Sequence, residues 1–231
     1  MKPRRRSYDQ HCGLARALDI VGERWTLLVV RDLLLGPRRY GDLLASLDGI
    51  TTNLLAKRLR ELVAAGLVEK RPLGPPHSGE VYALTERGRA LEAAVGELGR
   101  WGMPLLDSPR RTDRRDFGWA LLSLKRRYPG RGSGRVAEVV AGDRRFEVTL
   151  GAERLGVEER PAPLAALTIH AADPASLFAV FMGGVSPAAL ERRGALVVSG
   201  DRAVWSELVT ALALPAKNAS ARRAAAAKSG P

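Results

Sequence analysis

The sequence predicts an α+β chain of two domains, and three observations predict it. Up to residue 106 the apolar residues recur at helical spacing, broken by one short hairpin pattern. Residues 107–115 then form a polar, charged stretch that reads as a linker. Beyond it, alternating runs over 116–214 predict an antiparallel sheet with helices on one face, followed by a basic, Ala-rich tail over 215–231 that reads as disordered.

The front elements follow in order. Leu14, Leu18, Val21, Trp25 and Leu28 mark helical turns, with Gly22 as a break. A strongly apolar helix starts at Trp25 and stops at Gly36-Pro37, because proline disfavours helical backbone in the residue before it. Tyr40 to Leu47 is a short helix, and Asp48-Gly49 a turn. A third helix opens with Thr51 or Thr52 as N-cap. Its Leu55, Leu59 and Leu62 form one apolar stripe, and Asn53, Lys57 and Arg60 lie opposite. Residues 66–71 and 81–84 make a hairpin around the turn-rich loop 73–79. Thr85 then caps a final helix ending near Trp101.

That order of helices and hairpin is the order of a winged helix-turn-helix domain. The major groove of double-stranded DNA admits one α-helix, where an amide pairs with adenine and a cation with guanine. The Asn53–Lys57–Arg60 face suits that role; on its own it equally suits a solvated helix surface. Lys70, Arg71 and His77 sit in or beside the wing, within reach of phosphates or a minor groove. Arg38 and Arg39 precede the second helix, whose N-terminal amides add to their attraction for phosphate.

The bulk composition agrees. A formal net charge of +12 calls for a polyanionic partner. The single cysteine, Cys12, excludes an intrachain disulfide and a four-cysteine zinc site, and fits a reducing, cytoplasmic compartment. No segment approaches the ~18 uninterrupted apolar residues of a membrane span. Residues 116–214 hold no catalytic set, His170 has no second ligand for a metal, and Gly183-Gly184 lacks the strand–turn–helix context of a nucleotide site. Neither an enzyme nor a cofactor is expected.

Residues 11–102 resemble the HxlR type of bacterial winged-helix regulator. The resemblance rests on the ordered set Leu18-Asp-Ile-Val-Gly-Glu-Arg-Trp25, Gly36-Pro-Arg-Arg-Tyr40-Gly-Asp-Leu, Arg58-Leu-Arg-Glu-Leu62, Gly66-Leu-Val, Tyr82-Ala-Leu-Thr85-Glu-Arg-Gly88 and Trp101-Gly. It implies a homodimer built on the first and last helices and a roughly palindromic operator. It also implies Thr51, Thr52, Asn53 and Lys57 near bases, with Arg38 and Arg39 on the backbone. Arg58 belongs to the family pattern but lies beside the apolar stripe, so an internal salt bridge and a DNA contact both remain open. Some members sense oxidants through a cysteine placed like Cys12. Here Gly13 follows it where a proline is common, and a small buried cysteine is the other reading.

The rear domain resembles the sterol carrier protein fold through Ala166-Leu-Thr-Ile-His-Ala-Ala-Asp-Pro174, Phe181-Met-Gly-Gly, Ser186-Pro-Ala-Ala-Leu190 and Gly194-Ala-Leu-Val-Val-Ser-Gly-Asp201. That implies an apolar cavity for a hydrophobic small molecule, with Phe178, Phe181, Met182, Leu190, Leu196, Trp205 and Leu208 as candidate wall residues. Ordinary core packing uses the same residue types. The expected function is a dimeric, sequence-specific transcriptional regulator, repressor or activator, modulated by a hydrophobic ligand. The alternative is a hydrophobic-ligand carrier or scaffold that binds DNA non-specifically.

Overall fold

The computed structural model describes residues 7–73, 78–106, 113–114, 116–181 and 185–212, and of Pro174, Phe178 and Phe181 the backbone alone. Among the expected site residues, His77 and Met182 therefore lie outside the described residues, as do the side chains of Phe178 and Phe181 and the stretch 215–231. The chain divides into two compact units, Met1–Arg114 and Arg115–Pro231.

The first unit runs α1 (Gly13–Val21), α2 (Thr26–Leu33), α3 (Tyr40–Ser46), α4 (Thr52–Ala64), β1 (Val68–Pro72), β2 (Glu80–Leu84), α5 (Glu86–Arg89) and α6 (Glu92–Gly102), ending in a 3-10 turn, Met103–Leu105. Gly22 caps α1. Trp25 then takes a left-handed conformation, φ 78°, which is rare for a bulky residue and opens α2 in a new direction. Val29, Val30, Leu33, Leu35, Leu43, Leu47 and the α4 residues Leu55, Leu59 and Leu62 are all buried and make up the core of the unit. Each such side chain contributes about 1.5–3 kcal/mol by leaving water. β1 and β2 are antiparallel, Val68 opposite Leu84 and Lys70 opposite Tyr82. Arg38 adds a bridge to Tyr82, with N–H···O distances of 2.9 and 2.8 Å.

The single final helix expected from the sequence is two. The Leu91 amide bonds back to Gly88 O at 3.2 Å, a tighter i→i−3 step, so α5 ends and α6 restarts. Packing causes the early stop. A Cβ at Gly88 would stand 2.0 Å from Leu67 O, and the Thr85 hydroxyl donates to Gly66 O at 2.7 Å. α5 is held against the foot of the hairpin.

The second unit runs α7 (Phe117–Lys125), β3 (Val136–Ala141), β4 (Arg144–Leu150), β5 (Leu155–Glu158), β6 (Leu167–Ala171), α8 (Pro174–Phe181), α9 (Pro187–Arg192), β7 (Leu196–Gly200) and α10 (Arg202–Leu212). The sheet order is β5-β4-β3-β6-β7. This corrects the expected antiparallel sheet, because β3 and β6 are parallel, with Val139 opposite Ile169. The reason lies in residues 159–166. They cross the face that carries Glu138, where the Ala162 amide donates to Glu138 Oε1 at 2.9 Å. They thereby return the chain beside β3 rather than β5.

The two sheet faces differ as period-two alternation demands. One is apolar throughout, from Val148 and Leu150 across Val139 and Ile169 to Val198, all buried. Phe146 of that face lies 5.6 Å from Phe117 of α7, ring centre to ring centre. α10 buries Val204, Trp205, Leu208 and Leu212. The other face carries Glu138 paired with Arg145, Glu147 paired with Arg160, and an exposed His170.

Candidate nucleic-acid interface

α4 is positioned from both ends. The Thr51 hydroxyl accepts the Leu54 amide at 3.3 Å, which decides the N-cap between the two threonines. The Tyr40 phenol donates to Thr52 O at 2.7 Å and ties the start of α4 to α3. Below, Leu55, Leu59 and Leu62 are at most 1% exposed. Above, Thr51, Thr52, Asn53, Lys57 and Arg60 are all exposed, and three of them, Asn53, Lys57 and Arg60, share the face opposite the leucines. Lys57 Nζ stands 4.0 Å from Glu61, a loose solvated pair that a phosphate or base can displace at little cost.

Arg58 sits differently. Its side chain is 6% exposed. Its guanidinium pairs with Glu61 on the next turn and with Glu23 at 2.7 Å, and its Nε donates to Arg24 O at 3.1 Å. Of the two roles open to it, the structure gives the internal ion pair, and the residue leaves the set that faces outward. Spacing could have suggested Glu61, three residues on. Glu23, 35 residues away in sequence, carries no such signal.

The wing cations are occupied by neighbouring acids. Lys70 pairs with Glu80 across the hairpin at 2.9 Å and lies 5.5 Å over the Tyr82 ring; Glu80 is the main cause of an ammonium pKa above its ordinary value. Arg71 pairs with Glu69. Both pairs are exposed, so each contributes about 0–1 kcal/mol and exchanges readily for phosphate. Arg39 is exposed, and its own amide is capped by Asp42 at 3.1 Å. Arg38 is half-buried, with Nε on Asp32 O at 3.2 Å. Sequence reasoning missed Asp32 altogether. It is 1% exposed and accepts from Arg31 Nε at 2.9 Å and from the Ser46 hydroxyl, joining α2 to α3.

A family model described as HxlR-like helix-turn-helix matches residues 20–109. An uncharacterized HTH-type transcriptional regulator of Mycobacterium tuberculosis is 45% identical over 96 residues, which is 42% of this chain and 60% of that protein. The match thus spans somewhat less than two thirds of that relative. The uncharacterized HTH-type regulator YvaP of Bacillus subtilis is 33% identical over 92 residues, 40% of this chain and 85% of its own length. The chain belongs to the HxlR-like helix-turn-helix family. Another Bacillus subtilis relative, the HTH-type transcriptional regulator YodB, is 34% identical over 85 residues, 37% of this chain and 76% of its own. These relatives are regulators and not enzymes, and each match spans 37–42% of the present chain. Among the described residues no helix is long and apolar enough to cross a membrane, and no cluster of three metal-ligating side chains occurs.

Cys12 of this HxlR-like unit is exposed and is the N-cap of α1. The backbone amides of Ala15 and then Leu14 hold its thiol below the ordinary range. Of the two readings, the buried cysteine is the one the structure removes.

Two outcomes are expected. Arg58→Ala leaves two carboxylates facing a cavity; because both keep solvent contact, the loss is roughly 2–3 kcal/mol by chemical denaturation, below the range for a fully buried pair. Alkylation of folded Cys12 by iodoacetamide reaches half its alkaline plateau at a lower pH than in the guanidinium-unfolded chain; coincident profiles would show that the helix start does nothing for the thiol.

Proposed function

We propose that the protein is a dimeric, sequence-specific DNA-binding transcriptional regulator whose second unit binds a hydrophobic small molecule. The observation that carries the reading is the two-sided α4. Its buried leucine stripe sets the helix firmly in the unit, and Asn53, Lys57 and Arg60 stand outward beside a basic hairpin. In this reading Asn53 and Lys57, with Thr52, meet base edges. Arg39, Arg60, Lys70 and Arg71 meet phosphates, and Arg38 lends charge from the Tyr82 bridge. His77 belongs to the same wing by sequence.

Dimerisation is supported by apolar side chains left on the outer helices. Among the described residues α6 buries none, and Leu98 and Trp101 are exposed, the latter at 71%. Leu14 and Leu18 on α1 are exposed as well. Apolar surface of this kind on a monomer marks an association site. A twofold arrangement would present two α4 helices to a palindrome with half-sites about one helical turn apart.

The ligand reading treats the second unit as sterol-carrier-like. Its support is the uniformly apolar sheet face, on which Leu196 lies, with Leu190, Trp205 and Leu208 buried in the unit's helices. A bound hydrophobic molecule would act on DNA affinity only through unequal affinity for two conformations.

Sequencing of genomic fragments retained under competitor DNA tests the first reading. A palindrome is expected, and Asn53→Ala with Lys57→Ala should lose discrimination while keeping the helical signal. Unchanged site preference in that variant would rule out α4 as the reader. In the second unit, titration with a long-chain fatty acid should shift the emission of buried Trp205, an effect that Trp205→Phe abolishes. An emission unchanged up to the solubility limit of the fatty acid would favour a scaffold role.

A further inference from the structure

We infer that Arg24, in the turn between α1 and α2, is a DNA-backbone contact on the flank of α4. The inference rests on reading α4 as the helix that enters the major groove. It adds to that site a cation that lies on neither the helix nor the wing.

The state of its charge sets Arg24 apart. Most exposed cations of the first unit face an acid: Arg16 meets Asp19, Lys70 meets Glu80, Arg71 meets Glu69 and Arg100 meets Glu97. Arg24 is exposed and pairs with no carboxylate among the described residues. The acid beside it, Glu23, is turned to Arg58 at 2.7 Å. Asp48, exposed near the same turn, forms no ion pair among the described residues either.

Two contacts place the residue. Its carbonyl accepts from Arg58 Nε at 3.1 Å, so its backbone is bonded to α4. Its guanidinium lies 5.5 Å over the Trp25 ring. That ring stands at the start of α4. A Cβ at Gly49 would be 3.7 Å from Trp25 Cη2, and Gly49 comes two residues before the N-cap Thr51.

Helix geometry gives the flank. Arg58 follows Lys57 by one residue, about 100° round the helix. Glu61 joins the two positions, 4.0 Å from Lys57 Nζ and paired with Arg58. The turn that receives Arg58 therefore borders the outward face on its Lys57 side, and Trp25 sets it near the N-terminal end of α4. A reading helix meets base edges through that end. A cation beside it, off the helix, meets the sugar–phosphate wall of the groove rather than the bases.

The chemistry fits a phosphate. No side-chain N–H of Arg24 donates to another group among the described residues, so the guanidinium fork is open to two phosphate oxygens. Its place over the indole already restricts the side chain, which lowers the ordering cost of the contact. Spacing gives no sign of this role, because a turn has no repeating face.

The test is a salt titration of the full-length protein on a random-sequence duplex and on the enriched site, read by fluorescence anisotropy. Arg24→Gln, Arg24→Lys and Arg24→Met are compared with the parent. None removes the carbonyl that Arg58 uses, and Met keeps an apolar chain on the ring. Arg24→Gln and Arg24→Met should each lower the slope of log K against log salt by about one and weaken binding equally on both duplexes. Arg24→Lys should hold the parent slope. Phosphate-ethylation interference on the enriched site should show a phosphate at the half-site edge that matters to the parent and not to Arg24→Gln. Unchanged slopes in Arg24→Gln would overturn the inference. So would a parent-like slope in Arg24→Met, which would leave Arg24 only a packing role on Trp25. An enriched palindrome with unchanged slopes sinks the Arg24 contact alone. Lowered slopes on random duplex with no enriched site sink α4 as a sequence reader and keep Arg24 on the backbone.

Discussion

The first unit depends on a charge it cannot leave in water. Arg58 lies on the same helix as the leucines that fill the core, so burying Leu55, Leu59 and Leu62 draws the guanidinium in with them. An unpaired buried cation costs several kcal/mol, and only a partner from elsewhere offsets it. Glu61 supplies one partner from the same helix. Glu23 and Arg24 O supply the others from the turn between α1 and α2. α4 therefore docks in one orientation, with the α1–α2 turn and the outward face of the helix set by the same group. Beside that turn Trp25 is left-handed, and a Cβ at Gly49 would stand 3.7 Å from its ring.

The outward faces follow from this arrangement. With the leucines and Arg58 inward, the helical repeat leaves Asn53, Lys57 and Arg60 on the solvent side. The hairpin beside them holds its cations against Glu69 and Glu80 in exposed pairs. Exposed pairs of this kind hold their charges only loosely. α1 buries only Ala15 and Val21 and α6 buries nothing among the described residues, so Leu14, Leu18, Leu98 and Trp101 stay exposed.

In the second unit the governing constraint is the crossing after β5. Carrying residues 159–166 over one sheet face buries Glu138, which the Ala162 amide and Arg145 satisfy. The same crossing forces β6 parallel to β3. Val139, Phe146, Val148, Ile169 and Val198 lie buried on the opposite face.

Sequence periodicity alone determined that Leu55, Leu59 and Leu62 are buried, that Asn53, Lys57 and Arg60 oppose them, and that a hairpin follows, because helical and extended repeats name the buried side directly. The charge and the lone exposed-or-buried Cys12 were equally countable, though not placeable. Tertiary structure alone decided which carboxylates meet Arg58, that Cys12 is exposed, that the last helix breaks at Ala90-Leu91 and that β3 and β6 run parallel. Each of these depends on contacts between residues far apart in the chain. Periodicity says which face of an element is covered and is silent about which element covers it.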